Sequence, residues 1–209
     1  MCHFHAFVLK YSIKPKNYRQ PLLDVSRAMC IIRENAEKWK LDKDKIAVCG
    51  FSAGGHLAAS LGVHWDKPYF NEIPGFTAEM NKPDALILCY PVITSGKFAH
   101  RDSFYNLLGK DYNDSTLNEM SLENHISKNT PPSFLWHTVQ DRTVPMENSL
   151  FFAEGLRREN IPFELHIYPE GHHGLSLASC ETSNDENDIY PHVATWMRLC
   201  TEWLEVVFK

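Results

Sequence analysis

A chain of 209 residues, 44% hydrophobic and 22% charged, is long enough for one domain with a sizeable core and too short for two ordinary ones. Its formal net charge of −5, without basic clusters, gives no electrostatic footprint for nucleic acid or an anionic membrane and suits a small neutral substrate. No apolar run approaches a membrane span, and Met1-Cys2-His3-Phe4-His5 lacks the regions of a signal peptide, so the expected location is cytoplasmic.

The first element, His5-Ala6-Phe7-Val8-Leu9-Lys10-Tyr11, reads as a strand stopped by Pro15. From Pro21, which suits a first helical turn, Leu22, Val25, Met29, Ile32, Ala36 and Trp39 recur at steps of three and four, predicting an amphipathic helix packed on a sheet. Leu41 to Lys45 alternates aspartate with lysine and reads as a solvated turn rather than a metal site. Lys45-Ile46-Ala47-Val48-Cys49 then has the apolar, β-branched character of a buried parallel strand, and His56-Leu57-Ala58-Ala59-Ser60-Leu61 that of a helix.

Between them lies Gly50-Phe51-Ser52-Ala53-Gly54-Gly55, the pattern of a nucleophile elbow. A serine in a tight strand-to-helix turn needs small neighbours, so Gly50 and Gly54 are expected where side chains would collide with strand or helix. The Ser52 hydroxyl would project from the C-terminal sheet edge, with the Ala53 N–H and the positive helix end aimed at a developing oxyanion. G-x-S-x-G arises by chance in roughly one chain in fifteen of this length. Its placement between strand and helix makes a plain glycine-rich connection the weaker reading.

Residues 66–82, with Pro68, Pro74 and Gly75, read as a surface loop. Ala85-Leu86-Ile87-Leu88-Cys89-Tyr90 is continuous enough to be an interior strand. Residues 94–132 interrupt the βα rhythm with short helical patches and are expected to form a lid-like insertion over the site. Ser133–Thr138 is the next strand, Pro145–Asn160 a helix, Phe163–Tyr168 an alternating strand suited to an edge, and Pro191 opens a final helix. The alternation predicts an α/β fold: one domain over residues 1–209, a mostly parallel sheet of about five strands, helices on both faces.

Two further side chains fall just after strands at the same sheet edge. Asp141, in the loop after Ser133–Thr138, can hold an imidazole and fix its tautomer. In Pro169-Glu170-Gly171-His172-His173-Gly174, a histidine can accept the serine proton. His173 is preferred because glycines flank it at both Gly171-x-His173 and His173-Gly174, and His172 is the other choice. His64, Trp65 and His100 are weaker candidates for lining a substrate pocket. The cysteines Cys2, Cys30, Cys49, Cys89, Cys180 and Cys200 are scattered without a C-x-x-C pair and read as buried thiols, not a disulfide frame or zinc site. The acidic Asn184-Asp185-Glu186-Asn187-Asp188 lacks the glycine and distal glutamate of a calcium loop and reads as solvated.

The order Ser52, Asp141, His173 is that of the α/β-hydrolases. The segments Gly50–Ala58, Phe134–Thr138, Val144–Leu150 and His173–Ala178, with Asn106-Leu107-Leu108-Gly109 and Pro131-Pro132, resemble the acetyl-esterase-like branch of that superfamily, the lipase/esterase and acetylxylan-esterase-related proteins. The resemblance spans essentially the whole chain. It implies a serine carboxylesterase acting on short acyl esters, acetyl on a sugar first among them, with Ser52 as nucleophile, Asp141 as orienting acid, His173 as base, and no metal or cofactor. The chain departs from the pattern in starting at what resembles the fourth strand, without the glycine-rich segment that gives the second oxyanion donor. That implies either a lost central strand or a sheet closed by strand 5–11 beside 45–49, and a turnover cost of about 10²–10³. A serine exopeptidase of the same fold and a non-catalytic remnant are the competing readings. An open face where early strands are missing would suit a homodimer.

Overall fold

The computed structural model describes residues 4–13, 17–72, 76–77, 79–110, 112–183, 185 and 188–209. Helix α1 (Gln20–Glu34) begins with a proline in its first turn and is followed, after a break at Asn35, by the single turn α2 (Ala36–Trp39). The break replaces the single helix expected through Trp39. Then come β1 (Ala47–Phe51), α3 (Ala53–His64), β2 (Ala85–Cys89), α4 (Arg101–Leu108), α5 (Asp114–Glu119), β3 (Ser133–Thr138), α6 (Glu147–Arg158), β4 (Phe163–Tyr168) and α7 (Pro191–Val207). No helix among the described residues is long and apolar enough to cross a membrane.

The four strands form one parallel sheet in the order β1-β2-β3-β4. Alternation in β2 sorts its side chains to opposite faces: Ala85, Ile87 and Cys89 meet Trp196, Cys200 and Trp203 of α7, while Leu86 and Leu88 meet Ala58 and Ala59 of α3 and Phe152 and Leu156 of α6. Both faces are therefore covered, and β2 and β3 are buried throughout, as a two-sided parallel sheet requires. Helix α1 lies one layer further out, on α3, through Leu22, Val25, Met29, Leu57 and Leu61.

Among the described residues there are four strands rather than the expected five, because residues 5–11 form no strand. The segment has strand-like alternation but does not pair with β1, whose outer edge carries no strand among the described residues. Phe7 packs its ring on Trp39 at 5.2 Å, and Tyr11 joins the apolar cluster between α1 and α3. β4 occupies the opposite margin, as its alternation predicted.

Within 66–82, expected as a surface loop, the described residues are more structured than the composition suggests. Pro68–Glu72 is a 3-10 turn that drives Phe70 completely out of solvent against α1 and α3. Cys30, Cys89 and Cys200 are buried free thiols, whereas Cys49, on the marginal strand, and Cys180 are exposed, against the reading of all as buried. Cys2, Pro15, Pro74, Gly75, Asn184, Glu186 and Asn187 lie outside the described residues.

Candidate active site

In a parallel sheet every strand delivers its following loop to the same edge. Ser52 follows β1, Tyr90 follows β2, Asp141 lies just beyond β3, and His173 lies just beyond β4. Ser52 has φ 54° and ψ −116°, a strained positive-φ conformation of the kind an elbow demands. It is held there from three directions: its N–H donates to the Cys89 carbonyl at 3.0 Å, and its own carbonyl accepts from His56 N–H at 3.1 Å and Val92 N–H at 3.2 Å.

The glycines around it divide differently from the expectation. A Cβ on Gly50 would stand 2.1 Å from the Gly54 carbonyl oxygen, so glycine is obligatory there. A Cβ on Gly55 would stand 2.8 Å from Cβ of Pro91. Gly54, expected to be tightly packed, is open: the nearest atom to a Cβ there is the Tyr11 hydroxyl oxygen, 3.9 Å away. The close approach expected at Gly54 belongs instead to Gly55, where α3 crosses Pro91 in the loop after β2.

The Ser52 hydroxyl and His173 Nε2 are 2.7 Å apart, and His173 Nδ1 is 2.6 Å from Asp141 Oδ2. Nδ1–H donates to the carboxylate, which leaves Nε2 as the acceptor facing the serine hydroxyl. Asp141 is nearly free of solvent, and its other oxygen accepts the Thr143 and Val144 N–H groups at 2.9 Å each. Burial alone would raise its pKa. The hydrogen bonds from His137, His173 and the Val144 amide outweigh that and hold the carboxyl well below the usual carboxylate range.

His172 points elsewhere. Its Nδ1 donates to the His173 carbonyl and its Nε2 to Asp188 at 2.7 Å, so both nitrogens serve acceptors and the ring's pKa is raised. The geometry therefore selects His173 of the pair. His64 and Trp65 sit at the far end of α3: His64 is buried with Nε2 on the Glu119 carbonyl, and Trp65 Nε1–H donates to the Asn129 carbonyl. His100 precedes α4 and pairs with Ser103 Oγ at 2.8 Å. None of these three lines the cavity that reaches the elbow at Ala53, the residue after Ser52.

That cavity, about 300 Å³, opens against Ala53 and is walled by Leu57, Val92, Phe104, Leu107 and Met120 together with Tyr11. Phe104, Leu107 and Met120 come from the 94–132 segment, which is how that segment meets the site. Arg19 also lines it, but its charge is met by Glu119 at 3.0–3.1 Å in a two-pronged pair that Tyr18 OH joins at 2.8 Å. The wall is therefore largely apolar, with the Arg19 cation neutralised. His56, one turn along α3 from Ser52, donates Nδ1–H to the Val92 carbonyl, and burial lowers its pKa to about 4, so it is a neutral wall residue.

Sequence reasoning missed three supports. His137 is fully buried, with Nε2 facing both the Val144 carbonyl at 2.8 Å and Asp141 Oδ2 at 3.3 Å. Asn148 accepts Ile93 and Thr94 N–H and donates to the Phe98 and Pro145 carbonyls, pinning the loop after β2 to α6. Tyr90 sets its ring edge-on to His173 with centroids 5.0 Å apart while its hydroxyl accepts Ser176 N–H. A histidine inside an otherwise apolar strand, as in Phe134-Leu135-Trp136-His137, was the available signal for the first; the other two had none.

The fold and its relatives define the class as an esterase-like α/β hydrolase. The chain belongs to the BD-FAE family, whose model matches residues 8–156. It is 44% identical over 181 residues to endo-1,4-beta-xylanase B of Butyrivibrio fibrisolvens, covering 85% of this chain and 28% of that protein. It is 29% identical over 197 residues to the acetylxylan esterase of Xylanibacter ruminicola, covering 92% and 38%. The chain thus spans well under half the length of these two relatives. The crystal structure of an acetyl ester-xyloside bifunctional hydrolase from Caldicellulosiruptor lactoaceticus superposes with a TM-score of 0.82 at 42% identity, covering 94% of this chain and 69% of that one.

Proposed function

We propose that this chain is a serine carboxylesterase that removes short acyl groups, acetyl in particular, from carbohydrate esters. The observation that carries the reading is the continuous line of contacts from Ser52 Oγ through His173 to Asp141, 2.7 and 2.6 Å. Ser52 Oγ attacks the ester carbonyl carbon as its proton passes to His173 Nε2. The carbonyl electron pair moves onto oxygen, and the Ala53 N–H receives the oxyanion. Collapse breaks the bond to the alcohol, which leaves with the proton from His173. Water then repeats the sequence on the acyl-enzyme and releases the acid. Asp141 keeps the imidazole in the required tautomer throughout.

The relatives named for acetylxylan and acetyl ester-xyloside hydrolysis support acetyl on a sugar as the substrate. The neutral, largely apolar cavity suits an uncharged ester. Residues 94–132 act as the lid that shapes acyl preference. Hydrolysis of p-nitrophenyl acetate, p-nitrophenyl butyrate and acetylated xylo-oligosaccharides by the chain and its Ser52→Ala variant tests this. Turnover is expected to fall to background with Ser52→Ala and to favour acetate. Equal rates from two folded proteins would overturn the reading.

A further inference from the structure

A tetrahedral oxyanion is stabilised by converging donors, and the elbow supplies one, the Ala53 N–H. Building on the esterase reading, we propose that the Tyr11 hydroxyl is the second donor. Tyr11 lines the cavity beside Ala53. Its hydroxyl oxygen is the nearest atom to the open Cβ position of Gly54, the second residue of α3, at 3.9 Å. That places an O–H beside the first turn of α3, at the positive end of the helix.

Two features make the hydroxyl available and fixed. It makes no hydrogen bond to another described residue, so its proton is free to turn to a ligand. Its ring is half-buried and packs with Leu22, Val25, Leu57 and Leu61 between α1 and α3. The next residue anchors the backbone: Ser12 N–H donates to Asp24 Oδ2 at 2.8 Å, and Gln20 holds the other Asp24 oxygen at 2.7 Å. The phenol is thus positioned by two helices rather than by a free tail. In the reaction no bond to Tyr11 forms or breaks: it donates one hydrogen bond to the oxygen that gains charge and remains a phenol when that charge collapses.

This explains why residues 5–11 serve the protein without forming a strand. Their value lies in bringing one hydroxyl to the elbow. It also gives Gly54 a reason to be small despite its open surroundings, since a larger side chain there would enter the space between the hydroxyl and the first turn of α3.

The test compares the full chain with Tyr11→Phe, which keeps the packed ring and removes only the donor. Kinetics on p-nitrophenyl acetate are measured together with inhibition by a trifluoromethyl ketone, which forms a hemiketal oxyanion on the serine. With Tyr11→Phe, kcat is expected to fall about 10²-fold with KM nearly unchanged, and the ketone to bind weaker in proportion to the loss in kcat/KM. Unchanged kcat, or a change confined to KM, would overturn the role of Tyr11 while leaving the esterase reading intact, provided that the unsubstituted chain still needs Ser52. Absence of Ser52-dependent turnover in the unsubstituted chain would overturn both.

Discussion

His137 Nε2 stands 3.3 Å from the same Asp141 oxygen that receives His173 Nδ1–H, so one carboxylate oxygen serves two imidazoles of different burial. His137 is wholly enclosed, with Ser149 Oγ on its Nδ1. It is the enclosed partner that fixes where the carboxylate sits, while His173 is the partner in contact with Ser52. Replacing the carboxylate by an amide disturbs both at once.

Asp141→Asn is therefore expected to lower kcat about 10⁴-fold, since the amide oxygen takes the Thr143 and Val144 N–H groups and the NH₂ faces His173, forcing the tautomer that cannot accept the serine proton. Steady-state kinetics beside circular dichroism checks it: a folded variant with more than a tenth of the original kcat contradicts the assigned role.

The glycine geometry separates two neighbouring substitutions. Gly50→Ala is expected to abolish soluble folded protein, because a Cβ 2.1 Å from the Gly54 carbonyl meets backbone that cannot retreat. Gly54→Ala is expected to fold, and to gain up to ~1 kcal/mol of helix propensity in α3. Thermal melts of the pair decide it; equal stability for the two would contradict the elbow packing.

Acid sensitivity should begin well above the carboxylate range. Burial, first of all, lowers both His56 and His64 from 6.5 to about 4, with His125 adding to the effect at His64. Between those values the unfolded chain binds protons that the folded chain refuses, so stability rises with pH and is lost as pH falls from about 6.5 to about 4. From pH 7 to pH 5 each histidine costs about 2 kcal/mol. His64→Gln keeps an N–H for the Glu119 carbonyl and should remove one such share, read as a smaller difference between urea midpoints at pH 7 and pH 5.

Glu119→Gln should leave the Arg19 cation partly unmatched at the cavity wall. The expected outcome is a few-fold lower KM for an anionic ester such as a hemisuccinate, relative to an acetate ester. Because Arg19 is about a third exposed, the gain should vanish at high salt. An unchanged KM ratio at low salt would show that Arg19 does not face bound substrate.

The order of elements, the two-sided burial of β2, and the placement of Ser52, Asp141 and His173 after their strands were legible because each rests on local pattern: strand, turn residue, helix. What was not legible depends on neighbours in space. Residues 5–11 carry a strand's alternation, yet a strand exists only if another offers its ladder, and β1 does not pair with them. Gly54 and Gly55 look alike in sequence, and only the crossing of α3 over Pro91 tells them apart. His64 and Trp65 suit a pocket by residue type, but they stand at the far end of α3 from Ser52.

Ser52 follows the strand at one margin of the sheet and His173 the strand at the other. Three interstrand spacings, about 14 Å, separate those margins, yet the two side chains meet at 2.7 Å. The contact thus acts as a gauge stretched across the full width of the sheet. Any slippage, splaying or loss of a strand opens it before helices unwind. Enzymatic turnover during heating or denaturant titration would therefore report the sheet's lateral integrity, fading in step with the strands and ahead of helical signal.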